Sequence, residues 1–189
     1  MDCFNWGGGS VTAIDVSEDK IDTARERKRI IEDLTKRTLN IDFRSENIIN
    51  MDTNKKFDII WMEDAFHHLE PREQVLIKIG KLCKNDGYLI MSETNAWNPL
   101  LQLYLIKLNG FKKIIKQGDF VYGNERLITP RSLKAKLEHQ GFKNITYEYF
   151  RTLPAVKWAD KFLCPKIKIP VPFVYTIYNL VAQKEQKHE

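Results

Sequence analysis

Cysteine is scarce in this sequence, and the few cysteines present form no recognisable pattern. Cys3, Cys83 and Cys164 are odd in number and widely spaced along the 189 residues. That distribution excludes a framework of paired disulfides, and no two cysteines have the short spacing of a metal site. The thiols are typical of a reduced, cytoplasmic protein, and we expect no bound metal.

Long apolar runs and leader sequences are lacking as well. No stretch of the sequence reaches the length of a membrane-spanning helix, and the first residues do not have the pattern of a signal peptide. We find no internal repeat and no low-complexity segment. With 43% hydrophobic residues, the chain is expected to bury the core of a single globular domain over residues 1–189.

The most informative segment is Val11–Asp15, which is followed by a charged helical pattern. Its four apolar or β-branched residues suit a parallel strand that is covered on both faces. Asp15 then stands at the carboxyl end of the strand, where open α/β sheets bind their ligands. A carboxylate there can accept two strong hydrogen bonds from a ribose diol. The segment therefore favours a nucleotide-like cofactor, and the alternative is a carboxylate that only caps the helix or lies on the surface.

Strands and helices alternate along the chain. Ser17 is the predicted N-cap of a helix that runs to about Leu34, and a turn is predicted over Lys84–Gly87. This alternation indicates an α/β fold with a doubly wound, mainly parallel sheet. The other predicted elements are strands at 41–45, 57–62, 88–92, 144–150 and 175–182, a helix at 72–83, and a helix from Pro130 to a C-cap at Gly141.

Charge is unevenly distributed between the two halves of the chain. Residues 1–99 contain 14 Lys and Arg against 18 Asp and Glu, whereas residues 100–189 contain 16 against 7. An acidic half and a basic half indicate different partners for each. The basic half suits an anionic substrate, a lipid surface or nucleic acid.

Five segments follow one another in an order and spacing that is specific only as a set: Val11–Ser17, Phe57–Leu69, Leu82–Glu93, Ile128–Leu133 and Gln140–Phe142. Together they resemble a class I S-adenosylmethionine-dependent methyltransferase of the small-molecule type. The resemblance covers most of the chain. It implies a Rossmann-like sheet that ends in an antiparallel pair of strands, S-adenosylmethionine as the cofactor, and methyl transfer to a small-molecule acceptor.

The resemblance assigns the nucleoside part of the cofactor to residues that follow two of the strands. Asp15 would hold the ribose hydroxyls, and Val16 would pack on the adenine. One of Ser45, Glu46 and Asn47 would recognise the adenine amino group. The alternative for these three residues is a solvated loop.

The strand at 57–62 leads to a second group of candidate residues. By the same resemblance, Met62 and Glu63 would flank the sulfonium side of the cofactor. The alternatives for Glu63 are that it holds a cation there or that its role is structural. His67 and His68 follow, and imidazole titrates near neutral pH, so either is a candidate general base. In the family, however, one histidine of this pair is usually packed under the sheet. Because transfer from a sulfonium needs little beyond proximity, alignment and a deprotonated nucleophile, the identity of the base stays open.

The two halves of the predicted domain have different expected roles. Residues 10–95 form the cofactor side, and residues 96–189 form the substrate side. The apolar, lysine-bearing segment Trp97–Lys116 is interpreted as core packing, with a lid over the substrate or a basic helix on a membrane as alternatives. A proline-punctuated insertion at 153–173 favours irregular structure that holds a greasy or anionic substrate, or else a surface flap.

One part of the family pattern is missing. The first strand, the Gly-x-Gly-x-Gly loop and the first helix should precede Val11, and only ten residues do. Gly7–Gly9 comes directly before the strand that carries Asp15, which leaves no room for a parallel crossover of a dozen or more residues. We therefore expect an N-terminally truncated chain, an interrupted sheet and impaired binding of S-adenosylmethionine.

Other functions compete with this one. A nicotinamide-dependent dehydrogenase needs Gly-x-Gly-x-x-Gly about 20 residues before the acidic residue, and that motif is absent. A nucleic-acid methyltransferase would carry an Asn-Pro-Pro-aromatic segment where Glu63–Phe66 stands, so nucleic acid is not an expected partner. The remaining alternative is a non-catalytic remnant that acts at a membrane surface or on another protein, although nothing indicates an obligate protein partner. Whether this chain is an active enzyme stays open.

Overall fold

A computed structural model describes residues 9–52, 54–109, 114–116, 119–122, 125–152 and 175–186. The predicted insertion at 153–173 and two of the three cysteines, Cys3 and Cys164, lie outside these residues. Of the Gly7–Gly9 turn, only Gly9 is described. The chain forms two compact units, Met1–Asp52 and Thr53–Glu189.

The helices and strands alternate as the sequence predicts over most of the chain. The first unit contains β1 (Val11–Asp15), α1 (Glu18–Thr35) and β2 (Ile41–Ser45). The second unit contains β3 (Phe57–Glu63), a 3₁₀ turn (Phe66–His68), α2 (Arg72–Leu82), β4 (Cys83–Thr94), α3 (Pro99–Asn109), β5 (Ile114–Lys116), β6 (Asp119–Tyr122), β7 (Glu125–Leu127), α4 (Pro130–His139), β8 (Phe142–Thr152) and β9 (Tyr175–Lys184).

In the first unit, β1 and β2 form a parallel pair in which Asp15 and Ser45 are opposite each other. Ser17 occupies the N-cap position of α1, as predicted, but its side chain makes no capping hydrogen bond. Instead the backbone N–H of Ser17 donates to Oδ1 of Asp15 at 2.9 Å. Local side-chain to backbone bonds of this i to i+2 kind are typical of aspartate. The turn before α1 is therefore closed by the candidate binding residue itself.

In the second unit, the main sheet has the strand order β3-β4-β9-β8. β3 and β4 are parallel, whereas β9 pairs antiparallel with both β4 and β8. This confirms the α/β fold and its closing antiparallel pair. β1 and β3 belong to different sheets in the described part of the chain, and each has one strand partner there.

The strand β4 begins earlier than predicted. The predicted turn at Lys84–Gly87 is wrong as a boundary, because these residues lie within β4 and form an irregular bulge opposite Phe57 and Ile59. Asp86 takes a positive φ of 59° there. A Cβ on Gly87 would lie only 2.9 Å from the carbonyl oxygen of Asp58. Pairing with β3 therefore continues across residues whose local preference is a turn.

The core of the second unit lies where α2 and α4 pack on the main sheet. α4 has the predicted ends: the Thr129 hydroxyl accepts a hydrogen bond from the backbone N–H of Ser132, Pro130 is the first helical residue, and Gly141 follows the helix with a φ of +75°. Glycine is favoured at such a position because it has no Cβ to clash. The buried apolar residues of the two helices are Val75, Leu76, Ile79, Leu82, Leu133 and Leu137.

The region after β4 differs most from the prediction. A three-stranded antiparallel sheet, β5-β6-β7, was not predicted, because its strands are only three or four residues long. The predicted core packing of the segment that begins at Trp97 is confirmed for one side of α3, where Leu101 and Ile106 pack with Ala96 and Leu127. It is wrong for the side that carries Leu100, Leu103 and Tyr104, which are 57%, 62% and 58% exposed. Among the described helices, none is both long and apolar enough to cross a membrane.

Candidate functional site

In the first unit, five of the predicted site residues come together at the carboxyl edge of β1 and β2. The backbone N–H of Glu46 donates to the carbonyl oxygen of Asp15 at 3.0 Å. The hydroxyl of Ser45 donates to the carbonyl oxygen of Val16 at 3.5 Å. Asn47 follows directly, and its side-chain oxygen accepts from the backbone N–H of Ile49. The parallel pairing therefore groups residues that are 30 positions apart in the sequence.

Asp15 closes the turn before α1, and part of its side chain stays accessible. Its Oδ1 caps the turn before α1, and its Oδ2 lies 3.6 Å from Nζ of Lys20. These two contacts leave acceptor capacity, because an ionised carboxylate offers about four lone-pair sites. The side chain is 34% exposed. The carboxylate therefore retains accessible surface and unused capacity to accept hydrogen bonds.

Val16, the residue after Asp15, exposes an apolar side chain at this edge. It is 68% exposed, although β-branched residues of its size are usually buried. Ser45 and Asn47 are exposed as well, and Glu46 is half-buried. A carboxylate, an apolar side chain and three polar residues thus face solvent together at one end of a parallel strand pair.

In the second unit, β3 ends at the other predicted pair. Met62 is buried, with 8% of its surface exposed, whereas Glu63 is exposed. The next residue, Asp64, takes a positive φ of 48°, and its N–H donates to the carbonyl oxygen of Ser92 at 2.8 Å. The chain therefore turns sharply at the end of β3, and Glu63 is the member of the predicted pair whose side chain reaches solvent.

The two histidines that follow have opposite environments. His67 is buried, and its Nδ1 lies 2.9 Å from Oε2 of Glu93. His68 is exposed, and its ring centroid is 4.0 Å from that of His67. The structure therefore places one histidine of the pair in the interior, as the resemblance implies. In the described part of the chain, no cluster of three or more His, Cys, Asp or Glu residues is arranged to hold a metal ion.

Glu93 also belongs to this site, although the sequence alone did not predict a role for it. It is 1% exposed and accepts hydrogen bonds from the backbone N–H groups of Ala65 and Phe66 as well as contacting His67. The alternation of apolar residues along β4 indicated that Glu93 lies on the buried face of the strand. Leu89 and Met91 are fully buried, and side chains two residues apart point to the same face of a strand. Glu93 continues that buried face, so a charged residue there needed a partner.

The comparisons with known proteins concern the fold and the first half of the chain. The model of a methyltransferase domain family matches residues 3–89, just under half of the chain. No protein with a curated description matches. Among solved structures, the chain is similar to an S-adenosylmethionine-dependent methyltransferase from Methanosarcina mazei, with 18% identity and a TM-score of 0.63 over 94% of this chain and 83% of that one.

Two further structures have the same fold. One is a possible histamine N-methyltransferase from Thermotoga maritima, with 15% identity and a TM-score of 0.60 over 93% of this chain and 72% of that one. The other is magnesium protoporphyrin IX methyltransferase from Synechocystis PCC 6803, solved with bound S-adenosylhomocysteine, with 16% identity and a TM-score of 0.60 over 94% of this chain and 65% of that one.

The chain covers different shares of the structures that it matches. It spans 65% to 83% of the length of the three structures named above, and 54% of the length of a further matching structure. Identities below 20% establish the fold and leave the acceptor open. Residues 3–89 of the chain match the model of the methyltransferase domain family, and the fold is that of solved S-adenosylmethionine-dependent methyltransferases.

Proposed function

We propose that this chain binds S-adenosylmethionine and transfers its methyl group to a small-molecule acceptor. The observation that carries the proposal is the carboxyl edge of β1 and β2, where the accessible carboxylate of Asp15 lies beside the exposed side chain of Val16. These groups suit a nucleoside: the carboxylate would accept hydrogen bonds from the two ribose hydroxyls, and the apolar side chain would cover one face of the adenine.

Within the same unit, Ser45, Glu46 and Asn47 would offer polar groups to the adenine edge. For Glu63 the proposal rests on the family resemblance alone: its exposed carboxylate suits the positively charged sulfonium. The cofactor supplies an activated methyl group, so the chain mainly has to orient and align the acceptor. Where the acceptor carries a proton, we propose the exposed imidazole of His68 as the group that removes it, since His67 is buried.

We further propose that the affinity of this 189-residue chain for the cofactor is low and that its activity is impaired. In the described part of the chain, β1 and β3 each have one strand partner, in separate sheets. A strand edge with unpaired backbone groups lacks the hydrogen bonds of a second neighbour and is prone to association. The residues at its carboxyl end are then held less rigidly, and binding has to supply the cost of ordering them. The reduced, buried thiol of Cys83 is consistent with the cytoplasm as the proposed location.

Calorimetric titration of S-adenosylmethionine tests these proposals. Asp15→Ala should weaken binding at least about tenfold, because a hydrogen bond to a charged group contributes roughly 1.5–3 kcal/mol. Asp15→Asn keeps an oxygen for the N–H of Ser17, so it separates loss of charge from loss of the turn. Asp42→Asn, an exposed carboxylate on β2 that pairs with Arg44, is the matched control and should bind as the wild type does.

Each outcome of that titration has a definite meaning. Weak binding that depends on Asp15 supports both the cofactor site and the impaired affinity. A sub-micromolar dissociation constant contradicts the impairment. A folded wild-type chain that does not bind at all contradicts the cofactor proposal and favours a non-catalytic remnant.

The exposed side of α3 favours a second function, contact with an anionic lipid surface. Leu100, Leu103, Tyr104 and Lys107 are spaced i, i+3, i+4 and i+7, so they share one face of the helix, and all four are exposed. An exposed apolar stripe that ends in lysine suits the boundary between lipid headgroups and acyl chains. The excess of basic residues over residues 100–189 would add attraction to negative lipids.

Co-sedimentation with phosphatidylcholine vesicles, with and without phosphatidylglycerol, tests the lipid proposal. Wild-type protein should sediment with the anionic vesicles, and Leu103→Glu should reduce the bound fraction. Leu34→Glu is the matched control, because Leu34 is an apolar residue of α1 that is 79% exposed. If the wild type stays in the supernatant with anionic vesicles, or if both variants lose binding equally, the α3 face is not a lipid-binding surface.

A further inference from the structure

The segment from Asp64 to His68, which we call the 64–68 turn, is held by one buried carboxylate. Oε1 of Glu93 accepts hydrogen bonds from the N–H of Ala65 at 3.2 Å and of Phe66 at 2.8 Å. Its other oxygen, Oε2, contacts Nδ1 of His67 at 2.9 Å. Glu93 stands on β4 and the turn follows β3, so this contact joins residues 26 to 28 positions apart in the sequence.

Burial makes this arrangement costly unless the carboxylate is fully paired. Glu93 is 1% exposed and His67 is 6% exposed. An ionised carboxylate removed from water loses several kcal/mol of solvation unless N–H groups replace the lost water. Two backbone donors and one imidazole donor meet that need, and charge-assisted bonds of this kind are shorter and stronger than neutral ones. The turn and the carboxylate therefore hold each other in place.

The contact also dictates which ring nitrogen of His67 carries a proton. A carboxylate accepts hydrogen bonds and cannot donate, so Nδ1 must be the protonated atom at this contact. Three other side chains contact residues of the turn. Oδ1 of Asp64 is 3.8 Å from the same Nδ1, the His68 ring lies 4.0 Å from the His67 ring at a tilt of 47°, and the guanidinium of Arg72 lies over the Phe66 ring at 4.6 Å. The contact to Glu93 is the shorter of the two carboxylate contacts.

We propose that Glu93 is the positioning residue of this site: it fixes the 64–68 turn and the Nδ1–H form of His67, and so orients Glu63 and His68 at the end of β3. The orienting part rests on the proposed function, since it assumes that the cofactor binds beside these residues. The backbone of the turn leads directly from Glu63 to His68, so a displaced turn moves both side chains.

Glu93→Gln tests the proposal with little change in shape. A glutamine oxygen can still accept from Ala65 and Phe66, but the amide nitrogen then faces Nδ1 as a donor. The imidazole must therefore expose an unprotonated Nδ1 and carry its proton on the other ring nitrogen. Two-bond ¹H–¹⁵N correlation spectra of the histidine rings at pH 8 distinguish these forms, with the His67 signals identified by their loss in His67→Gln.

The expected result is an Nδ1–H signal for His67 in the wild type and its loss in Glu93→Gln. Asp64→Asn is the matched control, because it removes a carboxylate near the same nitrogen and leaves Glu93 intact; its His67 should stay in the Nδ1–H form. Glu93→Gln should also weaken S-adenosylmethionine about tenfold, the value of one net hydrogen bond, and more than Asp64→Asn does.

Two results would overturn the proposal. An unprotonated Nδ1 in the wild type shows that the contact does not fix the imidazole. Unchanged cofactor affinity in a Glu93→Gln protein that has lost the Nδ1–H form shows that the contact of Glu93 with the 64–68 turn is structural and does not position Glu63 and His68. If the wild type binds no cofactor, the proposed function fails and the histidine spectra alone decide the role of Glu93. Should Glu93→Gln not fold, the wild-type and Asp64→Asn spectra still decide it.

Discussion

The side-chain amide of Asn98 donates a hydrogen bond to the carbonyl oxygen of Tyr175, 77 positions away in the sequence, at 3.2 Å. The oxygen of the same amide accepts from the backbone N–H of Leu101 at 2.9 Å. Asn98 is 1% exposed. One buried side chain therefore caps the first turn of α3 and ties it to the beginning of β9. The neighbouring Asn95 also donates to Tyr175, at 2.9 Å.

We expect Asn98→Ala to lower the free energy of unfolding by about 1–2 kcal/mol, because it removes a helix cap and a buried hydrogen bond. Asn98→Asp keeps an oxygen for the N–H of Leu101 but places a carboxylate next to the carbonyl oxygen of Tyr175. Urea denaturation should show that the aspartate variant is at least as destabilised as the alanine variant. Wild-type stability in Asn98→Asp would mean that the bond to Tyr175 contributes nothing.

Two glycines at neighbouring positions in space should respond to alanine with opposite signs. Gly141 has a φ of +75°, so alanine there is strained and should cost about 1 kcal/mol. Gly80 lies within α2, and a Cβ on it would meet its nearest atom, the carbonyl oxygen of Gln140, at an ordinary 3.5 Å. Gly80→Ala should therefore stabilise the protein by about 0.5–1 kcal/mol through helix propensity. Thermal unfolding of both variants checks the pair, and a destabilised Gly80→Ala would show that this space is tighter than the distances indicate.

The stability of the chain should fall at alkaline pH because of Tyr149 on β8. Burial, with a smaller contribution from Tyr147, raises the pKa of Tyr149 to about 12. In the unfolded chain a tyrosine loses its proton near pH 10. Between these values the unfolded state binds fewer protons than the folded state, so the contribution is fully present below pH 10 and is lost as the pH rises toward 12.

Denaturation of wild type and Tyr149→Phe at pH 9 and pH 11 measures this effect. Phenylalanine cannot ionise, so the variant should lose less stability between the two pH values than the wild type does. Tyr88→Phe is the control, because Tyr88 is a tyrosine of the same sheet that is 43% exposed. It should keep the wild-type pH dependence. The same loss of stability in all three proteins would assign the alkaline transition to other groups.

The local signals in the sequence determined most of the helices and strands. Val11–Asp15 forms the predicted strand, and the Thr129-Pro130 start and Gly141 end of α4 are where backbone preferences place them. The same signals grouped the candidate residues at the edge of β1 and β2, because parallel strands bring their carboxyl ends to one edge. In each case the structure depends on the backbone preference of the residues themselves or on pairing with the next strand along the chain.

Tertiary structure decided what these signals could not. The partners of Glu93 lie 26 to 28 residues away, and the partner of Asn98 lies 77 residues away, so no local pattern names them. Residues 84–87 have the local preference of a turn, but pairing with β3 places them within β4. Leu101 packs against the core whereas Leu103 is exposed, and this difference depends on tertiary packing. Backbone preference acts over a few neighbouring residues, whereas burial and hydrogen bonding of a side chain depend on which distant segments the fold brings against it.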